Sequence, residues 1–378
     1  VSAALSGYIV TAPGLEPLVR TEAERLGLSL GDSEPGGIEF TGSLHDVGRA
    51  NLWLRTATRV LVRVADFSVR ALGELERKGT ELDWKRWLPR DRPVQIRVTS
   101  RKSRLYHQKA IAERLAVGLV KGGFTLAVKA AGEEDDESAD PSQLLVVRLL
   151  RDHCTISLDS SGSLLHRRGY RLATAKAPLR ETLGAALLAA GGWDRRAPLV
   201  DPFCGSGTIP IEAALLARGI APGRQRPFAC ERWPSWDAKQ WREELARADA
   251  AVLPKSPALI LGADRDAGAI AAARANAERA GVAGDIEFRQ QSLSDLAPPA
   301  GPGWLVSNPP YGVRVGDVKL LKGLYGRLGE IARGSLEGWR LMLLLPEQPL
   351  ERPTGLSWKE QFRTNNGGLK VRGVLAAP

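Results

Sequence analysis

The sequence predicts an α/β protein whose second half is a mostly parallel sheet with helices on both faces, preceded by a smaller α+β region. Three observations predict it. From residue 181 onward, short apolar runs alternate with helical patterns, as the crossover connections of a parallel sheet require. At Leu199 a buried strand end, a glycine turn and a helix start follow one another without a break. Before residue 165 the strands are short and half-apolar, and no cluster of reactive side chains accompanies them.

In chain order, residues 5–10 read as a strand, Pro13-Gly14-Leu15 as a turn and residues 15–26 as an amphipathic helix closed by Gly27. Residues 37–40 form the next strand, 44–54 a helix and 59–64 a half-exposed strand with period-two alternation. A strand over 94–99 precedes a helix over 109–119. The acidic run at 133–137 has no place in a core and reads as a solvated loop. Residues 144–150 and 154–159 read as paired strands joined by Arg151-Asp152-His153. The polar, arginine-rich stretch that starts at 166 marks a domain boundary, and residues 181–190 form a strong helix closed by Gly191-Gly192. Strands at 199–200, 258–263, 286–288, 304–306 and 340–345 then alternate with helices at 209–218, 267–280 and 320–333.

A length of 378 residues with 43% hydrophobic content is enough for two or three domains with real cores. The net charge of +10 favours an acidic partner, such as nucleic acid or an anionic membrane surface. No apolar run reaches the ~18 residues that span a bilayer, and the amino terminus lacks a signal-peptide pattern, so a soluble cytoplasmic protein is expected. Cys154, Cys204 and Cys230 are scattered, and His45, His107, His153 and His166 are isolated, so neither a metal site nor a Ser-His-Asp arrangement is expected. Residues 84–109 hold nine Lys or Arg against one acid, Asp91, with Arg101, Lys102 and Arg104 beside Tyr106 and His107. Such density suits a phosphate-binding face or a solvated charged loop.

Two motifs carry chemistry. In Asp201-Pro202-Phe203-Cys204-Gly205-Ser206-Gly207-Thr208, the glycines allow positive φ and close approach, and the helix start offers unpaired N–H groups to an anion. Asp201 adds an acceptor for a cation or hydroxyl, so the pocket suits a ligand with both charges. An ordinary strand-to-helix turn would use the same residues, and the second motif decides. In Asn308-Pro309-Pro310-Tyr311 the prolines fix the backbone just past a buried strand. The Asn308 side-chain carbonyl and the Pro309 carbonyl are two neutral acceptors beside the flat face of Tyr311, an arrangement for a planar exocyclic amine. Holding both its N–H groups aims the amine lone pair out of the ring plane. Asp264, before an alanine-rich helix, is the candidate for ribose hydroxyls, with Asp266 as that helix's cap.

These residues resemble motifs I and IV of S-adenosylmethionine-dependent amino methyltransferases. More narrowly, His166-Arg167-Arg168-Gly169-Tyr170-Arg171, Ala177-Pro178-Leu179-Arg180-Glu181-Thr182-Leu183 and residues 228–237 around Trp233-Pro234 resemble the THUMP-containing RNA guanine-N2 methyltransferases, over nearly the whole chain. The resemblance implies a ferredoxin-like subdomain at 1–65, a THUMP RNA-binding domain at 66–165 and a Rossmann-like class I methyltransferase domain at 166–378. It implies S-adenosylmethionine as cofactor, held by Asp201, Pro202, Phe203, Cys204, Gly205, Ser206, Gly207, Thr208, Asp264, Arg265, Ser292 and Asn308. Ser292 stands where related enzymes carry an adenine-contacting acid. Asn308, Pro309, Pro310 and Tyr311 would be catalytic, and Arg101, Lys102, Arg104, Arg167, Arg168 and Arg171 would meet RNA.

The implied reaction forms N2-methylguanosine in structured RNA, 23S ribosomal RNA ahead of tRNA, by a monomer needing no metal and no membrane. The alternatives are adenine-N6 methylation and an RNA-binding assembly factor that keeps the pocket without turnover. An insertion at 218–257 carries Trp233, Trp236 and Trp241 with Arg224, Arg226 and Arg232. It either stacks bases and binds phosphates or is pinned to the sheet by buried tryptophans.

Overall fold

Apolar residues recurring at strand and helix periods sort the chain onto two seven-stranded sheets in the computed structural model, which describes residues 4–127, 142–171, 179–311 and 317–377. The acidic run at 133–137 and Ala177-Pro178 lie outside the described residues.

The first half comprises β1 (Leu5–Thr11), α1 (Glu16–Arg25), β2 (Ser29–Glu34), β3 (Gly37–Gly42), α2 (Leu44–Trp53), β4 (Ala57–Ser68), α3 (Leu72–Glu81), β5 (Val94–Arg101), α4 (Gln108–Lys121), β6 (Gln143–Leu150) and β7 (His153–Asp159). Its sheet runs β2-β3-β1-β4-β7-β6-β5, with β5 and β6 parallel and the other neighbours antiparallel. β4 crosses the division expected at residue 65 and pairs with β1 on one side and β7 on the other. The ferredoxin-like beginning and the segment after it therefore share one sheet. β2 and α3 leave little trace in the sequence: β2 is an edge strand without a buried residue, and α3 buries only Leu75 and Gly79.

The second half comprises α5 (Glu181–Gly191), β8 (Leu199–Asp201), α6 (Thr208–Ala217), α7 (Ala238–Ala250), β9 (Ile260–Asp264), α8 (Ala267–Arg279), β10 (Ile286–Gln290), β11 (Trp304–Ser307), α9 (Asp317–Ser335), β12 (Arg340–Pro346), β13 (Lys359–Asn366) and β14 (Leu369–Ala376). The sheet order is β10-β9-β8-β11-β12-β14-β13, parallel through β12, with β14 and β13 closing it antiparallel. Alternate strand residues face opposite layers. Leu199, Ile260, Val306 and Met342 share a core with α5, α6 and α8, while Val200, Leu261, Leu305 and Leu343 share one with α9. The chain starts at β8, builds outward through β9 and β10, then returns to place β11 and β12 on the other flank. The crevice at the carboxyl ends of β8 and β11 is therefore the topological switch point, where open α/β sheets bind ligands.

The insertion between α6 and β9 packs on the first half. Phe228, Trp233 and Trp241 belong to the core of the first sheet. The Trp233 indole N–H donates to Gln143 Oε1 at 2.8 Å, and its ring meets Trp87 edge-on at 6.2 Å. The tryptophans thus pin the insertion, and the sheet they pin it to is the one upstream. Arg226 donates to the carbonyls of Ser161 and Ser163 at 3.0 and 2.6 Å and to those of Leu164 and Arg167 at 2.6 and 3.2 Å. Among the described residues no helix is long and apolar enough to cross a membrane.

Arg226→Ala should cost about 3 kcal/mol or more, because four carbonyls lose a charged donor at a closed junction. Arg224→Ala, which removes only an exposed pair with Asp249, should cost less than about 1 kcal/mol. Urea denaturation of both variants checks the contrast, and equal losses would show that Arg226 is not a clamp.

Candidate active site

Asp201 ends β8 and is 1% exposed. Its Oδ1 accepts from the Ser307 hydroxyl at 2.5 Å and from the Phe203 amide at 3.1 Å. Burial pushes its carboxyl up to about 7, the Ser307 and Phe203 donors oppose that rise, and nearby Asp264 adds to it. A cationic ligand group there would favour the ionised form.

The glycine turn follows, with φ of +52° at Gly205 and +87° at Gly207. The sequence points to both glycine amides as ligand donors, but the turn uses them itself. Gly205 donates to Asp264 Oδ2 at 3.0 Å, and Gly207 to the Cys204 carbonyl at 2.8 Å. The amides of Ser206 and Thr208 meet no acceptor among the described residues, so they are the donors that α6 offers at its amino end. From α8, Asn276 donates to the Ser206 carbonyl at 3.0 Å and braces the turn. Sequence reasoning missed Asn276, although its buried-face position between Ala273 and Ala277 was a signal. Pro202 and Cys204 are buried beneath the turn, and Phe203 packs toward the α9 layer.

On the flank, Asp264 accepts from Gly205 and, through Oδ1, from the Asp266 amide at 3.0 Å. Asp266 caps α8 through the amides of Gly268 and Ala269, as its position implied. Arg265 is exposed. Ser292 is exposed too, and its hydroxyl donates to Asp295 Oδ2 at 2.7 Å, which turns it to a local partner. Gln291, overlooked in the sequence, is better placed. Its amide donates to the Asp264 carbonyl at 3.0 Å, and its Nε2 is buried without a partner among the described residues. An orphaned buried donor beside Asp264 fits an acceptor on a ligand.

β11 delivers Asn308 to the same edge. The Tyr311 hydroxyl donates to Asn308 Oδ1, the atom assigned to the target amine. An amine bound at that oxygen would have to displace it. Burial holds the Tyr311 phenol above its ordinary range, which keeps it a neutral donor. Pro309 is buried, and the Pro310 carbonyl accepts from Tyr325 of α9 at 3.3 Å.

The arginines expected on RNA divide by burial. Arg101, the last residue of β5, and Lys102 and Arg104, on the loop that leads to α4, lie exposed. Arg168 is 3% exposed and is spent on Glu212 at 3.3 Å and on the carbonyls of Leu165 and Arg55. Arg171 pairs with Glu181 at 3.2 Å and donates to Thr208 Oγ1 and the Leu179 carbonyl. These two are structural, because internal acceptors engage their guanidinium groups. Arg167 is half-buried, and its carbonyl receives Arg226. Among the described residues no group of three or more His, Cys, Asp or Glu is placed to hold a metal ion.

Residues 168–373 match the RMKL-like methyltransferase domain, and residues 8–61 match the RlmL ferredoxin-like domain. The protein slr0064 of Synechocystis sp., which carries a provisional RNA methyltransferase name, is 34% identical over 97% of this chain and 96% of its own length. The ribosomal RNA large subunit methyltransferase K/L of Syntrophotalea carbinolica is 37% identical over 97% of this chain, which spans only 52% of that protein. Among solved structures, SMU.472, a provisionally named methyltransferase complexed with SAH, superposes with a TM-score of 0.87 at 30% identity. That match covers 100% of this chain and 99% of the other.

The two glycines of the turn should respond differently to a methyl group. A Cβ at Gly207 would lie 3.1 Å from Ala273 Cβ, whereas one at Gly205 would meet nothing within 4 Å. Gly207→Ala should lose about 2–3 kcal/mol of stability, from strain and contact together. Gly205→Ala should lose about 1 kcal/mol yet bind S-adenosylhomocysteine at least ~10-fold more weakly, because its methyl enters the ligand space. Thermal unfolding and calorimetry separate the two; unchanged affinity in Gly205→Ala would take the turn out of the site.

Proposed function

The chain belongs to the RMKL-like methyltransferase family, and on that premise we propose that it methylates the exocyclic N2 of a guanine in structured RNA, with S-adenosylmethionine as donor and large-subunit ribosomal RNA as substrate. One observation carries the reading. Asp201, the glycine turn, Asp264, Gln291 and Asn308 to Tyr311 all stand at the carboxyl ends of neighbouring parallel strands, around the switch point. Their donors and acceptors match the cofactor's chemistry. The free amides of Ser206 and Thr208 suit a carboxylate, Asp201 an ammonium, Asp264 ribose hydroxyls and the orphaned Gln291 Nε2 a base nitrogen.

Bound there, S-adenosylmethionine supplies a methyl group already activated on a sulfonium. The protein's task is then chiefly placement. Asn308 Oδ1 and the Pro309 carbonyl accept the two N–H groups of the target amine and aim its lone pair out of the base plane. The Tyr311 hydroxyl gives up Asn308 as the amine arrives, and its ring covers the base. A guanine that starts inside a helix must first be extruded. Arg101, Lys102 and Arg104 add phosphate contacts from the first half, beside Tyr106, which is 66% exposed. Ribosomal RNA is favoured because the K/L relatives carry that substrate in their name, and this chain spans about half their length.

Incubation with labelled S-adenosylmethionine and separated unmodified ribosomal and transfer RNA, followed by nucleoside identification, tests the reading. N2-methylguanosine in large-subunit RNA is the expected product. Labelled tRNA or N6-methyladenosine would replace the substrate, and no label in either RNA would overturn the activity.

Asn308→Ala should cut single-turnover methyl transfer by ~100-fold or more while cofactor and RNA affinities stay within a few-fold, as for a contact that matters mainly in the transition state. Near-normal transfer would remove Asn308 from amine orientation. Replacing Arg101, Lys102 and Arg104 together by alanine should flatten the salt dependence of RNA affinity by a log–log slope of about 0.7–0.9 for each phosphate the variant ceases to neutralise. Cofactor affinity should not change. Isotherms at several salt concentrations decide, and coincident slopes would make this turn an ordinary solvated surface.

A further inference from the structure

Ser307 precedes the amine-holding residues and is fully buried, a place where a hydroxyl must find a partner. It finds Asp201. β8 and β11 are parallel neighbours, with Leu199 opposite Trp304 and Val200 opposite Leu305. That register carries the Ser307 hydroxyl to 2.5 Å from Asp201 Oδ1, across the switch point. The Phe203 amide donates to the same oxygen at 3.1 Å. Oδ1 is thus held by two donors, while Oδ2 has no donor among the described residues and is left for a ligand.

The charged surroundings make this hydrogen bond consequential. The groups that face Asp201 are the Ser307 hydroxyl from β11, the Phe203 amide from the turn, the Asp264 carboxylate from β9 and the neighbouring Cys204 thiol. Burial and Asp264 both favour the protonated acid, and only the two donors oppose them. A hydrogen bond to the charged form of a buried carboxylate favours that form.

We propose that Ser307 is a positioning residue: its hydroxyl orients Asp201 so that Oδ2 faces the cationic part of the cofactor, and ties it to the strand that carries Asn308. The inference rests on the reading of the site as a cofactor pocket. Asp201 and Ser307, the residue before Asn308, are 106 residues apart in sequence. The hydroxyl therefore makes the donor-side and acceptor-side groups of the reaction share one frame.

The test compares parent, Ser307→Ala and Ser307→Thr in the full chain. Calorimetry with S-adenosylhomocysteine from pH 5.5 to 9 reads the affinity, and carbon NMR of the Asp201 carboxyl without ligand reads its ionisation. In Ser307→Ala the Asp201 midpoint should rise by about one pH unit, since a donor to the charged form is lost. Affinity at pH 7 should fall by about 5-fold and approach the parent's at pH 9, where the carboxyl is ionised in both proteins. Ser307→Thr, which keeps the hydroxyl, should restore both readouts. A uniform loss of affinity at every pH with an unmoved midpoint would assign Ser307 to packing and overturn the proposal. So would a variant that behaves as the parent. A parent that fails to bind S-adenosylhomocysteine would instead overturn the cofactor reading, while the NMR midpoint still judges Ser307.

Discussion

A carboxylate with no exposure to water, Glu212, stands where three parts of the chain meet. It lies on α6, one turn past the glycine loop, and accepts from Arg168 at 3.3 Å and from the Tyr170 hydroxyl at 3.4 Å. Arg55, which follows α2 in the first half, approaches its second oxygen at 3.9 Å and donates to the Ile220 carbonyl at 2.5 Å. Burial pulls the Arg55 guanidinium down to about 10, and Glu212 resists that fall. Charges removed from water persist only in company, and deleting one partner of such a network costs about 3–5 kcal/mol. The helix whose amino end forms the candidate ligand site is therefore fixed to the first half through buried charged groups.

The insertion joins the halves by other means. Its tryptophans contribute area and edge-on ring contacts to the upstream core, and Gly48 on α2 is bare because a Cβ there would lie 2.8 Å from the Trp236 ring. Polar network and aromatic clamp together join the halves by packing, where a flexible linker would leave their relative placement loose. An RNA held on the exposed turn of Arg101, Lys102 and Arg104 would thus meet Asn308 at a spacing set by the fold. The same packing occupies Arg168, which bonds the Arg55 carbonyl across the junction, while Arg171 is engaged by Glu181 and Thr208 within the second half.

Inside the site, electrostatics and geometry are shared between elements that are distant in sequence. Asp201 and Asp264 crowd two carboxylates near one glycine turn, and each is steadied by backbone amides or a hydroxyl. That crowding is tolerable next to a helix amino end and becomes favourable when a cation arrives. Asn308 Oδ1 is meanwhile satisfied by the Tyr311 hydroxyl, so that carbonyl is not left without a donor.

Much of this was legible in the residues themselves. Apart from α7 in the insertion, which was not read, the strands and helices from Glu181 to Arg333 announce themselves because strong local periodicity is a property of the chain, and the glycine turn and the Asn-Pro-Pro-Tyr run are local because backbone geometry demands those residue types in order. β2, α3 and β13 were not legible, since each is polar or sparsely apolar and gains its structure from a neighbour, and β14 was overlooked although Val371, Val374 and Ala376 give it a buried face. The amino-acid sequence by itself determined the α/β order, the position of the turn and the acceptor pair at Asn308 and Pro309. Only the tertiary structure decided which arginines are free, that Gln291 and not Ser292 presents an unpaired donor, and that Ser307 reaches Asp201. The physical reason is that burial and pairing depend on which segments share a surface, and no spacing within one segment records that.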